Sequence, residues 1–118
     1  MPPLRIELAT LRQIVIVTLT GDFVRPSCLE LRDVIKPLIE EGFRCFVIEF
    51  DVSQLDEAGF GEFVSTYTTV ANLGGQIATK PNQLFRDVGN LQSAPPDLML
   101  DKSIGSFCEC ACKGHWNN

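Results

Sequence analysis

Two apolar runs, Ile14-Val15-Ile16-Val17-Thr18-Leu19 and Cys45-Phe46-Val47-Ile48-Glu49-Phe50, bracket a segment whose apolar residues recur at helical spacing. Runs this rich in β-branched and aromatic residues read as strands covered on both faces. Between them, Cys28, Leu31, Ile35 and Leu38, with Val34 and Ile39, form one apolar stripe. Strand, helix and strand in that order make a βαβ unit, whose crossover sets the two strands parallel. This unit narrows the chain to the α/β class.

The remaining elements extend the alternation. Leu4 to Leu8 alternates apolar and polar residues, as a half-exposed first strand does. Thr20-Gly21-Asp22 reads as the turn after the second strand. Ser27 and Glu30 have the spacing of a capping box opening the first helix, with Pro37 inside it and Gly42 as a left-handed stop. Asp51 to Asp56 reads as a loop. A second helix is expected from about Gly59 to Leu73, burying Phe60, Phe63, Val64, Tyr67, Val70 and Ala71. Gly74-Gly75 ends it, and Gln76 to Thr79 is a short strand. Asn82 can cap a third helix that buries Leu84, Phe85, Val88 and Leu91. Leu98 to Leu100 reads as a last strand, followed by a weak helix from Asp101 or Ser103 to Lys113. The expectation is one α/β domain over residues 1–118, with a mostly parallel four- to five-stranded sheet and about four helices.

Composition excludes several function classes. With 118 residues the chain can bury roughly two thirds of its unfolded surface, enough to fold without metal or disulfide staples. A net charge of −5 and scattered basic residues argue against nucleic acid, whose binding needs clustered Lys and Arg. No stretch approaches the roughly 18 apolar residues that span a membrane. The N-terminus lacks an apolar block of signal-peptide length, so a cytoplasmic protein is expected. Cys28 and Cys45 read as small buried hydrophobes, and an odd total of 5 cysteines is no disulfide framework. The one histidine, His115, lies close to the C-terminus, a poor place for a general base. Neither a catalytic set nor a cofactor motif is visible, and the chain is expected to act by binding, without a cofactor.

The segment Asp51 to Gly61 is the strongest candidate site. Read plainly, Asp56 caps the second helix, Glu57 complements its positive end, and Gly59 and Gly61 permit close packing. Read functionally, a helix start after a parallel strand is where open α/β sheets bind ligands, and its N–H groups attract anions. The turn Asp22-Phe23-Val24-Arg25 would share that edge, where Phe23 as an exposed aromatic and Arg25 would suit protein docking.

From about residue 14 to residue 80 the chain resembles a STAS domain, the module of bacterial anti-sigma factor antagonists. Thr20-Gly21-Asp22-Phe23 is similar to the family's turn after its second strand, and Gly74-Gly75 to its break before the next one. Asp56-Glu57-Ala58-Gly59-Phe60-Gly61 resembles the family signature Asp-Ser-x-Gly-Leu-Gly. The resemblance implies a non-catalytic module that captures an anti-sigma factor until that partner, itself a serine kinase, phosphorylates the signature serine. Here Glu57 holds the serine's position and Ala58 follows it, so neither can accept phosphate. Glu57 then either imitates the phosphorylated state, with charge about −1 against −1.5 to −2 for phosphoserine, or marks a constitutive binder. The implied contact residues are Asp22, Phe23, Arg25, Asp56, Glu57, Ala58, Gly59 and Phe60, and the implied partner is an anti-sigma factor kinase or another STAS protein. Ser53, Ser65 and Thr66 are further hydroxyls that a moved switch would use.

The resemblance fades after Lys80, and the stretch from residue 101 to 118 is atypical in its cysteine content. On a helix, Cys108, Cys112 and His115 would share one face and form a zinc half-site; a helix end at Gly114 and ordinary packing of cysteines argue against metal. Two alternatives to the antagonist reading stay open. One is a scaffold that assembles with itself, at its simplest a homodimer, or with related domains. The other is a small-ligand or anion sensor centred on the Gly59 helix start.

Overall fold

The computed structural model describes residues 3–92. Four strands, β1 (Arg5–Leu11), β2 (Ile14–Phe23), β3 (Cys45–Leu55) and β4 (Gln76–Lys80), lie side by side in chain order. β1 returns antiparallel to β2, whereas β2, β3 and β4 are mutually parallel. The crossovers are α1 (Glu30–Glu40) and α2 (Glu57–Asn72), and α3 (Gln83–Leu91) follows β4. This is the mostly parallel α/β sheet expected from the alternation, with four strands and three α-helices among the described residues. The expected strand at Leu98 to Leu100 and the helix ending at Lys113 lie outside them.

Several boundaries differ from expectation. Thr20-Gly21-Asp22 is no turn: β2 runs through it to Phe23, with Gly21 at φ 86° and a register shift between Gly21 and Asp22. The extra, unpaired residue is Ser53 of β3; Gly21 in the left-handed region lets β2 follow the shift, and Asp22 then faces Gln54 and Phe23 faces Leu55. For the same reason Asp51 to Leu55 belongs to β3 and not to a loop. Ser27 does not cap α1. Its hydroxyl donates to the carbonyls of Asp22 (3.0 Å) and Val24 (2.9 Å), which leave the sheet there, and α1 begins at Glu30 after a 3-10 turn, Ser27–Leu29. β1 continues three residues past Leu8. Gly42 (φ 109°) ends α1 as expected, and the Asn82 side chain caps α3 by accepting from the Phe85 N–H at 2.9 Å.

Register explains the core. Val15, Phe46 and Ile77 are cross-strand neighbours, as are Leu19 and Phe50, and all face the helices. Phe50 is the hub: its ring stacks on Phe85 (centroids 4.2 Å) and meets Phe63 edge-on (5.2 Å, 82°). Each such pair adds about 0.5–1.5 kcal/mol beyond burial. From α2, Phe60, Phe63 and Val70 are buried, Val64 and Tyr67 partly so, while Ala71 in its last turn is exposed. Leu91 is 82% exposed and does not complete the α3 face, because it lies about 120° around the helix from buried Phe85. Cys28 and Cys45 are buried, as small hydrophobes are.

The unexpected core member is Glu62, only 8% exposed on the side of α2 that faces α1. Arg32 of α1 forks onto it, with Nε 3.2 Å and Nη2 3.1 Å from the two carboxylate oxygens. The pair sits in a groove of about 440 Å³ between the helices, floored by Ile35 and Ile39. Arg32→Ala would leave a buried carboxylate without its counter-charge. Its expected cost is about 1–2 kcal/mol, toward the low end because the guanidinium itself is largely exposed. Urea titration should show that loss, and Glu62→Gln added to Arg32→Ala should recover part of it.

Candidate functional site

β2 and β3 are neighbouring parallel strands, so their carboxyl ends open on one edge of the sheet, and α2 starts there. Asp56 follows β3 in an extended conformation and caps α2. Its Oδ1 accepts from the Gly59 N–H at 2.7 Å, and its Oδ2 accepts from the Arg25 N–H at 3.1 Å. One carboxylate therefore ties the segment leaving β2 to the first turn of the helix. Packing tightens the same junction. A Cβ on Gly59 would overlap the Phe23 carbonyl oxygen, so the helix rests directly on strand backbone.

The eight residues named from the sequence thus meet at one edge, but they divide sharply in exposure. Arg25 and Glu57 are exposed, and Asp56 and Ala58 are half-buried. Asp22, Phe23, Gly59 and Phe60 are buried. The expectation of an exposed aromatic at Phe23 is overturned. Because β2 extends through the bulge, Phe23 turns inward to the Phe50 ring (6.2 Å) and is fully buried. Phe60 is likewise a core residue, beside Phe85. In their place the edge exposes Ser53 and Gln54, which belong to β3 and not to the expected loop. Leu29, 49% exposed on the 3-10 turn packed beside α2, adds an apolar element.

Glu57 occupies the first position of α2, and the capping falls to Asp56. The Glu57 carboxylate is thus an exposed negative charge at the positive end of a helix. Of the alternative hydroxyls, Ser53 and Ser65 are exposed. Thr66 is buried, with its hydroxyl donated to the Glu62 carbonyl at 3.0 Å. The Cys28 thiol, under this edge, has its pKa pushed up by burial first and then by the Glu62 and Asp56 carboxylates, which keeps it protonated and a poor nucleophile. Cys108, Cys112 and His115 lie outside the described residues. Among those described, no helix is long and apolar enough to cross a membrane.

The chain matches no protein-family model and no curated protein. Solved structures do match it. The Bacillus cell fate determinant SpoIIAA in its phosphorylated form superposes with a TM-score of 0.64 at 18% identity, over 90% of this chain and 98% of that one. The anti-sigma factor antagonist SpoIIAA in its unphosphorylated form gives 0.62 at 20% identity, over 90% and 96%. At such identities the likeness shows the fold, and that fold is the STAS fold of SpoIIAA.

Proposed function

We propose that this domain is a protein-binding regulatory module of the anti-sigma factor antagonist type, with a contact surface that phosphorylation at the signature position cannot switch. The observation that carries the reading is the placement of Glu57. An exposed carboxylate stands at the first position of α2, where the family's phosphoacceptor would stand, and Asp56 alone meets the capping need. SpoIIAA, of the same fold, exists in phosphorylated and unphosphorylated forms. Glu57 gives this chain one permanent charge in place of that alternation. The partner is an anti-sigma factor kinase or a related STAS protein, held against Arg25, Asp56, Glu57 and Ala58, with Ser53, Gln54 and Leu29 at the margin.

The test is phosphate transfer. Incubated with an anti-sigma factor serine kinase and ATP, the native chain should gain no phosphate between Asp56 and Gly61, read by mass spectrometry of peptides. Glu57→Ser should make that segment a substrate of any kinase that docks. Phosphate on Ser53 or Ser65 of the native chain would mean that the switch moved. Ser65 is eight residues along α2, about 12 Å from the family position.

A further inference from the structure

We infer that Asp22 is the receptor for a cationic donor, an arginine or lysine side chain of the protein partner, at the carboxyl edge of β2. The inference rests on the protein-binding reading above and names the chemistry of its central contact. Asp22 is 6% exposed, and its Oδ1 has no hydrogen-bond partner among the described residues. Two other buried or half-buried carboxylates are committed. Both oxygens of Asp56 accept backbone N–H groups, and both oxygens of Glu62 accept from Arg32. A buried carboxylate oxygen without a donor costs folding free energy.

What Asp22 contributes structurally comes from its backbone, which pairs opposite Gln54 and whose carbonyl accepts the Ser27 hydroxyl at 3.0 Å. The position is the functional edge itself. The next residue is Phe23, whose carbonyl oxygen meets Gly59, and the cross-strand neighbour Gln54 is exposed. Asp56 and Glu57 on the same edge bias the local field toward a cation. A guanidinium supplies several N–H donors in one plane and carries less hydration than an ammonium, so arginine fits best.

The test sets folding against binding. In urea melts, Asp22→Ala should be at least as stable as the native chain. Asp22→Asn keeps the shape of the side chain and removes its charge. Followed by NMR, argininamide should give saturable shifts at the amides of Gly21, Phe23 and Gly59 that equal sodium chloride does not, and Asp22→Asn should abolish them. With an anti-sigma factor kinase that binds the native chain, both variants should lose at least tenfold in affinity. A clear stability loss in Asp22→Ala would make the side chain a folding element and sink the inference. So would undiminished kinase binding by Asp22→Asn, which leaves the antagonist reading intact. If no such kinase binds the native chain but the argininamide shifts saturate and depend on Asp22, the receptor stands and the antagonist reading falls.

Discussion

Gly59→Ala is expected to destabilise the domain by about 3 kcal/mol, whereas Gly61→Ala, two residues along the same helix, should stabilise it by up to about 1 kcal/mol. Both substitutions add one methyl group, and both sites are helical. They differ in what that methyl meets. At Gly59 it would overlap the Phe23 carbonyl oxygen and press within 3.1 Å of Leu55 Cδ1. The first obstacle is backbone of a paired strand, which no rotamer change can move aside. Relief requires α2 to withdraw from β2, and that breaks the hydrogen bond from Arg25 to Asp56, which joins the two. At Gly61 nothing lies within 4 Å, so alanine gains only the helix propensity that glycine lacks. Urea melts of the two single variants give the comparison. Equal effects would mean that α2 does not sit on the Phe23 carbonyl, and the site geometry would have to be redrawn.

Periodicity made the interior legible. Strands β2 to β4 and helices α1 to α3 announce themselves through apolar spacing, and Asn82 and Gly42 act at α3 and α1 as their chemistry dictates. Errors gathered where one residue type serves two structures. Gly21 signals a turn and a bulge equally well, and only the continued pairing of Phe23 with Leu55 decides between them. That single ambiguity hid the last residues of β3 and turned Phe23 from core to surface. Ser27 has the spacing of a capping box, yet two strand-end carbonyls compete for its hydroxyl and win. Glu62 carried no local signal, because its partner Arg32 is thirty residues away on another helix. The acidic helix start at Asp56 and Glu57 was visible in advance; which of its neighbours reach solvent was not.

Glu57→Lys should separate folding from binding more widely than any other single change at this edge. Glu57 is exposed at the first position of α2, where a carboxylate interacts favourably with the helix dipole. Reversing its sign should cost only about 0.3–1 kcal/mol in a urea melt, less at high salt. The partner senses a different quantity. A surface matched to a fixed negative charge receives a positive one at its centre, and misplaced charge inside an interface costs several kcal/mol. A loss of about 3 kcal/mol corresponds to a more than hundredfold fall in affinity. Glu57→Gln, which removes the charge without reversing it, should fall between, and its affinity should depend less on salt than that of the native chain. Calorimetric titration of an anti-sigma factor kinase with the three proteins reads these differences directly. Should Glu57→Lys bind as tightly as the native chain while its melt shows the small expected loss, the α2 start is not the contact surface. The groove between α1 and α2, with Arg32 and Lys36 on its rim, would then be the next face to mutate.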